Sequence, residues 1–82
     1  MATSEIRSPL PGIFYRKPNP DADPYVVAGQ QIQPDQTIGL VEVMKQFTEV
    51  KAGVSGTLVQ FSVENEDAVS AGQTLAVVEM DG

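Results

Sequence analysis

Histidine, cysteine and tryptophan are absent from this 82-residue chain. Without histidine or cysteine there is no Ser-His or Cys-His nucleophile pair, no thiolate or imidazole metal site and no ordinary acid–base residue. Without cysteine no disulfide can staple the fold, and nothing suggests secretion. No apolar run approaches the length of a membrane-spanning helix or a signal-peptide core, and Met1 to Glu5 lack the positive start of an export signal. A soluble, cytoplasmic protein is the expectation. Basic residues are scarce: Arg7, Arg16, Lys17, Lys45 and Lys51 stand against eleven acidic residues, for a net charge of −6. They form no patch beyond Arg16-Lys17, which argues against nucleic acid and against anionic membrane as partners. The length allows one small domain, over residues 1–82.

Short segments rich in β-branched and aromatic residues alternate with turn residues. The segments 12–15, 25–27, 37–43, 47–51, 57–63 and 74–80 read as strands. No window has helical apolar spacing with caps, so the chain reads as all-β and antiparallel. In the 57–63 segment, Val59, Phe61 and Val63 fall on one face by alternation, which makes Val59 a candidate core residue. Phe14, Tyr15, Phe47 and Phe61 are also expected in the core. Gly29 to Gln36 reads as polar and turn-rich around Ile32, and Glu64 to Asp67 as a turn.

The two halves are related. Gln36-Thr37-Ile38-Gly39-Leu40-Val41-Glu42 matches Gln73-Thr74-Leu75-Ala76-Val77-Val78-Glu79, and upstream Ile32 matches Val69 at the same spacing. Ser8-Pro9-Leu10-Pro11-Gly12 resembles Ala52-Gly53-Val54-Ser55-Gly56. Two similar halves of short strands predict a pseudo-twofold sandwich or flattened barrel. The first half carries extra residues, and the proline-rich stretch Lys17-Pro18-Asn19-Pro20-Asp21-Ala22-Asp23-Pro24 is the natural place for them. Lengthening a loop this way costs only on the order of half a kcal/mol in closure entropy. Pro18, Pro20 and Pro24 each fix φ, and Asn19, Asp21 and Asp23 can close turns, so an ordered projection is expected. Asp21, Asp23, Glu66 and Asp67 lack the spacing of a calcium loop and read as solvated turn carboxylates.

Only Met44 and Lys45 lie between Val43 and Gln46, so the simplest connection there is a two-residue hairpin. Such turns favour Asn-Gly or Gly-Gly, because the central residues need φ > 0. Met-Lys breaks that rule, which hints that function chose the pair. Taken alone, a lysine in a turn is an ordinary solvated side chain. At the midpoint of a duplicated β body, on a two-residue tip, it reads as a lysine presented for modification. The second copy of the tip would be the chain ends near Gly82.

On these residues the chain resembles a biotinyl domain, and is most similar to the biotin carboxyl carrier family of bacterial-type acetyl-CoA carboxylase. Glu42-Val43-Met44-Lys45 resembles the family's acid, small residue, Met-Lys tip. Val43 and Gln46 stand where carriers often have alanine and a second methionine. Ser8-Pro9-Leu10-Pro11-Gly12 resembles the opening Ser-Pro-x-x-Gly, Phe14 to Ala22 resembles the entry to a protruding thumb, and Ala52 to Leu58 the strand entry after the lysine. The resemblance implies a barrel-sandwich hybrid of two four-stranded sheets with a thumb over Lys17 to Pro24. It implies biotin as covalent cofactor on Lys45, with Glu42, Val43, Met44 and Gln46 recognised by a biotin protein ligase. It further implies a non-catalytic carrier, shuttling a carboxyl group between biotin carboxylase and carboxyltransferase and serving fatty acid biosynthesis. The family's long N-terminal segment and mobile linker have no counterpart here, so the sequence reads as a minimal carrier or a fragment. Two alternatives remain: a lipoyl domain, whose Asp-Lys-Ala tip and missing thumb differ from this chain, and an unmodified β-sandwich interaction module.

Overall fold

A computed structural model describes residues 2–81, so the ends named above, Met1 and Gly82, lie outside the described residues. Eight strands run in chain order: β1 (Thr3–Arg7), β2 (Gly12–Tyr15), β3 (Gln31–Ile32), β4 (Thr37–Val43), β5 (Gln46–Lys51), β6 (Gly56–Phe61), β7 (Asp67–Val69) and β8 (Thr74–Met80). They form two four-stranded sheets, ordered β1-β8-β6-β3 and β5-β4-β2-β7, with every pair antiparallel. The expected all-β sandwich of two four-stranded sheets is the fold observed.

The duplication is visible in the register. β4 sits between β2 and β5 as β8 sits between β6 and β1. The two strands share one burial pattern, with Ile38, Gly39 and Val41 buried in β4 and Leu75, Ala76 and Val78 in β8. Edge contacts repeat as well. The Thr37 hydroxyl approaches Glu49, which pairs with Lys51, and the Thr74 hydroxyl donates to Glu5, which pairs with Arg7. These pairs are half exposed and contribute little stability. Where the first half has the Val43–Gln46 pair at the tip, the second has Met80 donating its amide to the Ala2 carbonyl at 2.9 Å.

The core is apolar and shared by both sheets: Phe14, Ile32, Ile38, Leu58, Leu75, Val26, Val41 and Val78 are fully buried. Two glycines, one in each sheet, sit where a neighbouring strand comes unusually close. A Cβ on Gly12 would collide with the Glu42 carbonyl oxygen, and one on Gly56 with that of Glu79. Only a residue without a side chain permits that backbone approach.

Several sequence expectations need correction. Residues 25–27 form no strand; Val26 instead plugs the core from an irregular segment, with no ladder partner on either side. The register of β6 against β8 shifts between Leu58 and Gln60. That bulge turns Val59 outward, 45% exposed, while Leu58 is fully buried. One extra residue thus breaks the assumed alternation at Val59, while Phe61 still packs against the core and Val63 is buried; the strand ends at Phe61 rather than Val63. Phe47 is 59% exposed and so is not core, because β5 places it opposite Glu42 on the outer face. Tyr15 is half-buried on that same outer face. Asp67, read as part of a turn, begins β7, and β1 and β3 are strands that the sequence reading did not separate.

Candidate functional site: the β4–β5 tip and its neighbours

The tip follows from strand pairing. Val43 faces Gln46 at the last rung of the β4–β5 ladder, leaving Met44 and Lys45 as a two-residue connection. Met44 has φ of 51° and Lys45 φ of 67°. Positive φ at both central residues is the backbone of a type I′ turn, whose twist matches that of the flanking strands. Neither residue is glycine, asparagine or aspartate, so the turn carries left-handed strain. The Met44 side chain is 90% exposed and leaves the core nothing in return. Lys45 is exposed, and among the described residues its amine has no hydrogen-bond or ion-pair partner. The amine is therefore open to an acylating partner.

Beneath the tip, two arms meet a third strand. The Tyr15 hydroxyl donates to Glu42 Oε1 at 2.9 Å, across from β2 to β4. The Tyr15 and Phe47 rings lie 6.1 Å apart, tilted by 52°. The hydrogen bond to Glu42, partial burial, and the charges of Glu42 and Glu66 hold the Tyr15 phenol above its ordinary pKa of 10.0. Tyr15 thus remains a protonated donor throughout the physiological range.

The proline-rich insertion begins at Lys17, separated by Arg16 alone from Tyr15 at the end of β2. It is closed at its root by the Tyr25 amide donating to the Arg16 carbonyl at 2.9 Å. At its bend, Asn19 accepts from the Asp21 amide through its side chain and from the Ala22 amide through its carbonyl. The Arg16 amide is held by Asn65 Oδ1 at 2.8 Å, and the Arg16 guanidinium lies 4.2 Å from the Phe61 ring centroid. The segment is therefore tied to the body at its root and folded on itself.

Between the insertion and the outer face of β4 and β5 lies a cavity of about 300 Å³. Its walls are Lys17, Pro18, Asn19 and Pro20 on one side, Tyr15, Leu40 and Phe47 on the other, and Asn65 and Glu66 at the edge. The structure thus brings the first half of the insertion together with Phe47, two residues beyond Lys45. Asp21, Ala22, Asp23 and Pro24 do not line this cavity. Sequence reading gave none of the other five a place in this site: Tyr15 and Phe47 were expected in the core, Glu66 as a solvated turn carboxylate, and Leu40 and Asn65 had no assigned role. The available signal was alternation: Phe14 inward puts Tyr15 outward, and Val41 inward puts Leu40 and Glu42 outward. Among the described residues no cluster of acidic side chains is placed to hold a metal ion. Asp67, for one, accepts from the Glu64 amide and closes its own turn.

The model of the biotin/lipoyl attachment family, described as "Biotin-requiring enzyme", matches residues 4–81, and the chain belongs to this family. Among individual proteins it is similar to the biotin carboxyl carrier protein of acetyl-CoA carboxylase from Nostoc sp., 36% identical over 95% of this chain and 43% of that protein. It is similar too to the protein of the same name from Chlamydia pneumoniae, 40% identical over 93% of this chain and 46% of that protein. The chain thus spans less than half the length of these relatives. In three dimensions it matches part of the crystal structure of Kluyveromyces lactis urea carboxylase, with a TM-score of 0.79 and 24% identity. That match covers 96% of this chain and 6% of the carboxylase, and shows the fold. No helix among the described residues is long and apolar enough to cross a membrane.

Proposed function

We propose that this chain is a biotin carboxyl carrier domain of the acetyl-CoA carboxylase type, with biotin joined to Lys45. The observation that carries this reading is the tip itself. A solvent-open lysine sits on a two-residue turn whose strained backbone is built from Met44 and Lys45. The family and the names of the relatives support the choice of biotin. The residues fit that group: Lys45 offers a free amine, and the cavity beside Phe47 is lined largely by apolar side chains.

In this reading Lys45 Nζ is the acyl acceptor, and a biotin protein ligase reads Glu42, Val43, Met44 and Gln46 around it. Amide formation removes the lysine's positive charge and leaves its four-carbon stem as the base of a long arm. Biotin held on Lys45 would supply a group able to carry a carboxyl between two active sites. The chain's own part is mechanical. The β4–β5 hairpin holds the arm away from the body, and tethering raises its effective concentration at biotin carboxylase and carboxyltransferase. The chain itself contributes no catalytic group, and its working compartment is the cytoplasm. The projection at Lys17 to Pro24 has the role of a thumb, holding the biotin ring or keeping the wrong modifying enzyme off Lys45.

The test is intact-mass analysis of the chain co-expressed with a biotin protein ligase in a biotin-replete host. A single biotin adduct is expected, and the adducted protein should accept carboxyl from a biotin carboxylase. A lipoyl adduct, or no adduct, would overturn the reading.

A further inference from the structure

The duplicated half serves as an internal control for what the fold requires. In β2, β4 and β5 the outer face carries Ile13 opposite Glu42, Tyr15 opposite Leu40, and Phe47 opposite Glu42. The corresponding positions in the second half are Thr57 opposite Glu79, Gln60 opposite Val77, and Thr3 opposite Glu79. The equivalent sheet, bulged at Val59, is thus built with glutamine opposite Val77 where the first half has Tyr15 opposite Leu40, and with threonine where it has Phe47. The glutamate is kept in both halves, but only Glu42 receives a phenol. The two aromatics are therefore not needed to make the sheet.

Their position is distinctive. Tyr15 is the last residue of β2, separated from the 17–24 projection by Arg16 alone. Its hydroxyl reaches Glu42 on the strand entering the tip, and its ring packs against Phe47 on the strand leaving it. One side chain therefore ties the root of the projection to both arms of the hairpin that presents Lys45.

We propose that Tyr15 is a positioning residue for the modification of Lys45: it holds the Glu42 carboxylate and the Phe47 ring in one arrangement for the modifying ligase to read. The inference rests on Lys45 being the ligase's acyl acceptor. Tyr15 acts through Glu42 and touches neither the reacting amine nor the acyl group. Its loss therefore weakens recognition of the carrier and leaves the chemical step alone.

The test uses the full chain, a purified biotin protein ligase, biotin and ATP. Wild type, Tyr15→Phe, Glu42→Ala, the double variant and Glu79→Gln as the duplicate-side control are compared. Tyr15→Phe keeps the ring and removes only the hydroxyl. Its KM as carrier should rise about fivefold, as expected for one hydrogen bond to a carboxylate at a half-open site, with kcat within about twofold. In the Glu42→Ala background the same change should add nothing further. Independently of any ligase, amide hydrogen exchange over residues 42–47 should quicken in Tyr15→Phe. Tyr15→Phe should remain fully folded at the assay temperature, and the Glu79→Gln kinetics should stay near wild type. An unchanged KM, an equal effect in the Glu42→Ala background, unchanged exchange, or a KM rise explained by loss of folded protein would each overturn the inference. A wild type that takes no biotin at Lys45 would instead overturn the functional reading beneath it.

Discussion

Replacing Met44 by asparagine should make the protein more stable and a poorer ligase substrate. Met44 sits at φ of 51°, in the left-handed region. A residue with a full side chain there costs on the order of 1–2 kcal/mol relative to the right-handed region, and asparagine tolerates it better. Little is lost in exchange, because the methionine side chain is 90% exposed and contributes almost no buried apolar area. A net gain of about 0.5–1 kcal/mol follows. In a domain of this size, that raises the melting temperature by roughly 2–8 °C. Thermal melting by circular dichroism measures the first effect, and the initial rate of biotinylation measures the second. A Met44→Asn protein that melts at or below the wild-type temperature would refute the claim that the tip is strained. One that is biotinylated at the wild-type rate would refute the claim that function placed methionine there.

Three further outcomes are expected. Leu58→Ala should destabilise by about 2–5 kcal/mol, as for other fully buried leucines, whereas Val59→Ala on the bulge should cost under about 1 kcal/mol in the same denaturant titration; equal losses would refute the bulge. The raised folded pKa of Tyr15 predicts stability that is fully present below the unfolded tyrosine value near 10.0 and lost as pH rises from there through the folded value. Melting curves of wild type and Tyr15→Phe should therefore diverge least at high pH, and a constant difference across that window would refute the assignment. Deleting residues 17–24 with a short bridging turn should leave the β body folded, since closure entropy changes little. It should alter carboxyl transfer, or which modifying enzyme accepts Lys45; unchanged biotinylation, lipoylation and transfer would reduce the projection to a plain loop.

Sequence reading was sharpest where duplication and periodicity reinforce one another. β4 and β8 have the expected bounds at both ends, because two copies of one apolar pattern mark the same residues as inward. β5 differs from expectation by one residue. β3 and β7 were not legible as strands, since two or three residues are too few to show alternation; their pairing with β6 and β2 defines them. The bulge at Val59 was not legible either, because an unpaired residue leaves no mark in composition, only in the partner's register. Phe47 was misplaced because residue type predicts burial only on average, while strand parity decides the face. The two-residue tip was legible from spacing alone. Its positive φ angles were implied by the turn type and are observed. The link from Tyr15 to Glu42 joins positions 27 residues apart and needed the three-dimensional register to appear.

Peptide mapping by tandem mass spectrometry, on wild type and Lys45→Arg co-expressed with a biotin protein ligase, tests the central claim most directly. Arginine keeps the charge and the exposed stem but cannot form the amide. Biotin should appear on Lys45 alone in the wild type and nowhere in the variant, with Lys17 and Lys51 unmodified in both. Biotin on the Lys45→Arg protein, or on Lys17 or Lys51 of the wild type, would contradict the assignment of the β4–β5 tip as the attachment site.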